Sequence, residues 1–241
     1  MDEPVSGNIP AINLTLKVRD TAFTVSAIVN PTVAYTNELG NRISLSTAGM
    51  EWMIQPTFSE VFGTLKAEAI AYNADWRGAI GASIKLIDAN GIEYDGSSTL
   101  AIFGDYRISK LPVTDKPFIW EQKVPGHFTM KRVIPVGVEK KGILWGQSLQ
   151  YFNFNERPAA GDVNQDDVID IRDVLAIQQA WNKNERASDI NFDGVVNAKD
   201  MPYVVNNYLK QNSDAENPQA PVEQADGKTL QDILTELQIS S

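Results

Sequence analysis

Two stretches in the C-terminal third of the chain carry carboxylate and carboxamide oxygens at matching intervals. Asp162-Val-Asn-Gln-Asp-Asp-Val-Ile-Asp-Ile-Arg-Asp173 aligns without a gap on Asp189-Ile-Asn-Phe-Asp-Gly-Val-Val-Asn-Ala-Lys-Asp200. A repeat this regular is one unit used twice. Oxygens at positions 1, 3, 5, 9 and 12 of a twelve-residue loop, with a backbone carbonyl at position 7, form the ligand scheme of a calcium ion, which takes about six to eight hard oxygen donors.

In the first loop the donors are Asp162, Asn164, Asp166, the carbonyl of Val168, Asp170 (directly or through water) and Asp173. In the second they are Asp189, Asn191, Asp193, the Val195 carbonyl, Asn197 and Asp200. Magnesium, which demands a tight octahedron and retains several waters, suits so many protein oxygens poorly. Two calcium ions are therefore expected. The acidic side chains repel one another without a cation, which couples folding to calcium. A single acidic stretch is often only a solvated loop, but two copies in register, each followed by an apolar helix, are not explained that way.

Val174, Ile177 and Trp181 recur at helical spacing after the first loop, and Met201, Val204, Val205, Tyr208 and Leu209 after the second. Pro202 is tolerated in a first helical turn. No entering helix precedes either loop, so the unit is loop then helix, twice, and EF-hand-like rather than a full helix-loop-helix. Ile169 and Val196, at position 8, are candidates to pair between the loops. Position 6 turns through positive φ and favours Gly. The second loop has Gly194 there and the first has Asp167, which marks the first site as the weaker.

On these residues, from about Gly161 to Leu209, the chain resembles the dockerin family. The resemblance implies a partner of the cohesin type, on a scaffoldin or a cell-surface protein. The family's recognition positions, loop positions 10 and 11 and the exposed face of the following helix, fall on Ile171, Arg172, Gln178 and Gln179 in the first copy. In the second they fall on Ala198, Lys199, Val205 and Asn206. Ile-Arg against Ala-Lys breaks the internal symmetry and favours one binding orientation.

Upstream the period is two. Leu14, Leu16 and Val18, then Phe23, Val25, Ala27 and Val29, alternate with smaller or polar residues. Further strands are expected at 42–46, 63–72, 83–87, 99–104, 118–123, 127–136 and 143–154, with Asn90-Gly91 as a type I′ hairpin turn. The expected architecture is multi-domain: an all-β sandwich of immunoglobulin or fibronectin type over 1–157, then a small all-α EF-hand-like module over 158–212. A polar, mobile linker over 213–227 follows. A short amphipathic helix within 228–241 carries Leu230, Ile233, Leu234 and Leu237 on one face, which must dock on something.

The 241-residue chain has 21 basic and 31 acidic residues, a net charge of −10, which disfavours nucleic acid and anionic membrane surfaces. It has no cysteine and one histidine, His127, so thiolate or imidazole metal chemistry has almost no material. His127 lies in Pro-Gly-His-Phe-Thr without a nucleophile elbow, which reads as a surface or turn histidine rather than a triad member. No carboxylate pair stands out for glycoside chemistry. Trp52, Trp76, Trp120 and Trp145 are candidate sugar platforms, though tryptophans in such domains are mostly core.

The start Met-Asp-Glu-Pro shows neither a signal peptide nor a membrane span, as in a piece excised from a longer protein. The order β-rich module, calcium loops, linker and tail resembles the C-terminal region of secreted subtilisin-like, lactocepin-type proteases of Gram-positive bacteria. The sequence thus points to a non-catalytic, calcium-dependent attachment region, secreted or on a bacterial cell surface. The alternatives are calcium loops that only rigidify the end of a larger protease, and a carbohydrate-binding sandwich.

Replacing both first ligands, Asp162→Ala with Asp189→Ala, is expected to lower the melting temperature in calcium to that of the chelated parent chain. The loss should approach about 3–4 kcal/mol for each ion otherwise present at about 100 to 1,000 times its Kd.

Overall fold

The computed structural model describes residues 25–239 apart from 31, 37–38, 47–48, 55–57, 72, 141–142 and 147–149. The expected strand at Leu14 to Val18 lies outside the described residues. Near the N-terminus, β1 (Val25–Val29) pairs antiparallel with β4 (Met50–Ile54), and the hairpin of β2 (Thr32–Thr36) and β3 (Arg42–Ser46) lies between them in sequence.

Alternating apolar residues then build two sheets around one core. The antiparallel sheet runs in the order β10 (Met130–Ile134), β9 (Phe118–Lys123), β6 (Ser83–Ile87), β7 (Glu93–Asp95). The other runs β13 (Gln150–Phe152), β5 (Ser59–Thr64), β8 (Asp105–Leu111), with β13 parallel to β5. Ile84, Leu86, Phe118 and Trp120 from the first meet Val61, Tyr106 and Ile108 from the second in one buried cluster. The Trp120 indole donates to the Tyr106 hydroxyl at 2.8 Å, which satisfies both polar groups inside that core. A further hairpin joins β11 (Gly137–Lys140) and β12 (Ile143–Gly146).

Several expected strands shift. The run expected at 63–72 is extended only to Thr64; the Leu65 N–H then donates to the Gly104 carbonyl, and Ala69 turns at φ 62°. The run at 99–104 forms short 3-10 turns, because Phe103 (φ 75°) and Gly104 (φ 78°) leave the extended region one after the other. The strand of that region is β8, and 143–154 divides into β12 and β13.

At Asn90-Gly91 only Gly91 has positive φ, so the turn is not type I′, which requires it at both positions. The Asp88 carboxylate shapes it instead, accepting from the backbone N–H groups of Asn90 and Ile92. Trp76 and Trp120 are core residues, each 2% exposed. The side chains of Trp52 and Trp145 lie outside the described residues.

After residue 160 the elements are α1 (Ile171–Gln179), α2 (Met201–Asn207), the short ladder β14 (Gln224–Ala225) with β15 (Lys228–Thr229), and α3 (Leu230–Glu236). Their apolar faces share a second core that includes Ile169, Ile171, Val174, Ile177, Ile190, Val196, Met201, Val204, Ile233 and Leu234. The 213–227 segment, polar enough to suggest a mobile linker, is tied down. Asp214 accepts from the Lys131 N–H and pairs with Arg132, Gln211 donates to the Gln219 carbonyl, and Val222 bonds to Asp170 and Ile171.

The β-rich part and the helical part exchange aromatic residues. Phe128 packs in the helical core, and Phe192 packs against the β core. Backbone bonds run from Phe128 N–H to the Ala159 carbonyl and from Gly161 N–H to the Gly126 carbonyl, 3.0 and 2.8 Å. A Cβ on Gly126 (φ +72°) would lie 2.3 Å from the Ala187 carbonyl oxygen, so glycine is required at this approach.

His127, expected at the surface or in a turn, is instead buried in this joint. Its ring nitrogens each lie 2.9 Å from a carbonyl oxygen, of Pro125 and of Glu68, and the ring stacks on Phe192. Burial holds its pKa below the usual histidine value, although both carbonyls favour the proton. The Glu68 carboxylate accepts from the Ala160 N–H (3.0 Å) and from the Asn207 amide (2.6 Å).

Glu68→Ala strands both donors. It is expected to cost about 1–3 kcal/mol, read as a lower urea midpoint, and to move the β-sheet and helical signals together.

Candidate metal centre and recognition faces

Both loops are coiled by the same backbone-to-carboxylate bonds. At position 1, the Asp162 carboxylate accepts from the N–H groups of Asp166 and Asp167 at 3.0 and 3.2 Å. Asp189 does the same for Asp193 and Gly194 at 3.1 and 2.9 Å. At position 3, Asn164 and Asn191 accept from the residue two further on. At position 12, Asp173 accepts from Val163, Asn164 and Asp170, and Asp200 from Asn191 and Asn197.

Each coil turns through positive φ at position 6, Asp167 (65°) and Gly194 (97°), as the pattern requires. It does so also at position 4, Gln165 (58°) and Phe192 (56°), which residue types alone did not mark. Asp167 has a further role that only the fold reveals: its carboxylate accepts from the buried Asn212 amide at 2.7 Å, and that amide also donates to the Thr129 carbonyl. The residue that replaces glycine thus fixes the first loop to the β-rich part.

Position 9 differs between copies. Asp170 caps α1, and its oxygens accept from the Arg172 backbone and guanidinium and from Val222 N–H. Burial drives its pKa up, but the bonds from Arg172 and from the Val222 N–H together outweigh this and leave it low. Asn197 accepts from Lys199 N–H and donates to the Val195 carbonyl at 3.0 Å. At position 11, Arg172 and Lys199 each reach across to the position 5 carboxylate, Asp166 at 3.3 Å and Asp193 at 2.9 Å.

Among the described residues no three His, Cys, Asp or Glu side chains converge into a ready-made metal cluster. The loops draw instead on mixed oxygens, carboxylate, carboxamide and carbonyl. That donor set fits a hard cation. Electrostatics agrees: burial, then the charges of Asp173 and Asp166, pushes Asp162 up to about 8, and burial pushes Asp173 up to about 7. Burial also raises Asp200. Carboxylates this reluctant to ionise lack a positive counter-charge, which a divalent ion supplies.

Ile169 and Val196 are both fully buried in the helical core, and their backbone bonds run to other segments. Ile169 exchanges backbone bonds with Leu209 and Lys210 beyond α2, and Val196 with Asn182 and Lys183 beyond α1. Each loop is therefore latched to the exit of the other copy's helix, which preserves an internal twofold.

The recognition positions are unequally exposed. Ile171 is fully buried, Arg172 is held by Asp170 and Asp166, Gln178 is half-buried and bonded to Glu236, and Gln179 is exposed. Ala198, Lys199, Val205 and Asn206 are all exposed.

Residues 160–220 match the family model of the dockerin type I domain. The chain carries a dockerin. No curated protein matches the chain. Two similar solved structures are an N-terminal and a C-terminal interface mutant of a type II cohesin-X-dockerin complex from Acetivibrio cellulolyticus. Each is 17% identical and covers 65% of this chain and 99% of that one, with TM-scores of 0.46 and 0.45. A third, the major pilin subunit BcpA of Bacillus cereus, is 14% identical and covers 53% of this chain and 38% of that one, with a TM-score of 0.25.

Asp162 and Asp173 have folded-state pKa values above the 3.8 of a free aspartate. Without a cation, the folded dockerin therefore binds more protons than the unfolded chain from about pH 4 to about 8, and its stability falls as pH rises through that window. Thermal melts in excess EDTA are expected to show a lower melting temperature at about pH 8 than at about pH 5, and saturating calcium should remove that slope.

Proposed function

We propose that this chain is an attachment region whose dockerin binds two calcium ions and, so ordered, docks to a cohesin-type module. A dockerin is itself a non-catalytic module. The observation that carries the reading is the pairing of two oxygen-lined loops with an open face on the second copy. There Ala198, Lys199, Val205 and Asn206 stand beside the exposed apolar groups of Val195, Pro202 and Leu209.

The ions are assigned to the oxygens of Asp162, Asn164, Asp166, Val168, Asp170 and Asp173, and of Asp189, Asn191, Asp193, Val195, Asn197 and Asp200. At Asp170 the in-chain bonds of both oxygens favour contact through water. The β-rich part serves as an immunoglobulin-like or fibronectin-like sandwich spacer, and the whole belongs to a secreted or cell-surface bacterial protein. No helix among the described residues is long and apolar enough to cross a membrane.

The density of bonds at the joint favours a second reading, in which calcium only stiffens this end of a longer secreted enzyme. Capture of the purified chain on an immobilised panel of recombinant cohesin modules, in calcium and in EDTA, separates the two. Capture in calcium that is lost in EDTA is the expected result. Absence of capture by every cohesin, with the calcium-dependent melt intact, leaves only the stiffening role.

A further inference from the structure

The C-terminal residues pack chiefly on the helix of the first copy, through α1 with α3 and α1 with β14, and touch the second copy at Tyr208. Ile233 and Leu234 of α3 are 0% and 3% exposed within the helical core, with Leu230, Leu237 and Ile239 packed around them. The strap is fastened along its length. Val222 N–H donates to Asp170 at 3.0 Å, the Tyr208 hydroxyl donates to the Glu223 carbonyl, and β14 pairs with β15. Thr229 and Asp232 form a reciprocal cap that starts α3.

At the rim, the Gln178 amide and Lys228 both donate to Glu236 at 2.6 Å, and Lys228 also reaches the Gln178 oxygen. Gln178 occupies in the first copy the place that Val205 holds in the second, and Val205 is 37% exposed. Equivalent positions of a duplicated module are therefore one bonded to the tail and one open.

We propose that residues 222–239 are an intramolecular strap. They bond the first copy's face at Ile171 and Gln178, which leaves Gln179 as its exposed position, so the dockerin presents its second copy, through Ala198, Lys199, Val205 and Asn206, to a partner. The strap itself rests on its own contacts; the one-sided docking rests on the cohesin reading above. An internally symmetric dockerin offers two orientations, whereas occupation of one face by the chain's own tail removes one of them without any repulsive contact from the partner.

The chain has no cysteine, so a single introduced thiol reports its own exposure. Gln178→Cys and Val205→Cys, each in the full chain and in saturating calcium, are reacted with a maleimide. The thiol at 205 is expected to react about tenfold or more faster than the one at 178, the ratio of a local opening. Ile233→Asp is expected to close most of that gap. Should Ile233→Asp unfold the module, Lys228→Ala with Glu236→Ala loosens the rim without placing a charge in the core.

Equal rates in the parent chain, or a gap that no strap variant narrows, overturn the strap. Ala198→Glu with Lys199→Glu is expected to abolish capture by whichever cohesin binds the parent chain, and retained capture overturns one-sided docking. Failure of the parent chain to bind any cohesin refutes the functional reading instead, while the thiol rates still decide the strap.

Discussion

The constraint on which the helical part depends is charge held out of water. Asp162, Asp170, Asp173, Asp189 and Asp200 are all buried within a short length of chain. Buried carboxylates need donors, a counter-charge or a proton. Backbone N–H groups curl around Asp162 and Asp189 to supply donors, and this is what gives each loop its shape. Arg172 and Lys199 supply charge at the rim. Asp162 and Asp173 are left with their proton affinity raised. A divalent cation would offset what remains of that unfavourable electrostatics, and both helices start within these loops, α1 capped by Asp170 and α2 following Asp200.

That order is transmitted in two directions. Within the dockerin, position 8 of each loop is latched to the segment leaving the other copy's helix, which ties the two copies to each other. Towards the β-rich part, the link runs through residues inside the loops: Phe192 stacks on His127, and Asp167 holds Asn212, which in turn reaches Thr129. The joint thus combines part-buried hydrogen bonds with two exchanged aromatic rings, Phe128 and Phe192. Each partner must be satisfied where water is excluded.

The shape of the two loops was legible because its information is local. Ligand spacing, the position 6 turn and the helices after each loop follow from residues within a dozen positions of one another, and the structure shows the turn at Asp167 and Gly194 and both helices. What the sequence hid is nonlocal. His127 reads as a surface residue until Glu68 and Phe192 close over it. The 213–227 segment reads as linker because its composition lacks apolar residues, yet its backbone and carboxylates are used by Arg132 and Asp170. Strand limits failed for a similar reason: the breaks at Ala69 and Phe103 are positive-φ residues that no residue type announces.

The symmetry of the repeat and the asymmetry of its surroundings then pull against each other. A twofold in the loops, latches and helices predicts two equivalent faces. The rest of the chain breaks that equivalence on the first copy: Ile171 turns into the core, Arg172 is committed to Asp170 and Asp166, and Gln178 is bonded under α3. The same positions in the second copy, Ala198, Lys199, Val205 and Asn206, are all exposed. Duplication supplies the fold, because each half-unit needs the other's helix exit to satisfy its loop. Orientation is a separate property, set by what the chain adds after the repeat, and a short amphipathic segment is enough to set it because it needs to bury only Ile233 and Leu234 to stay in place.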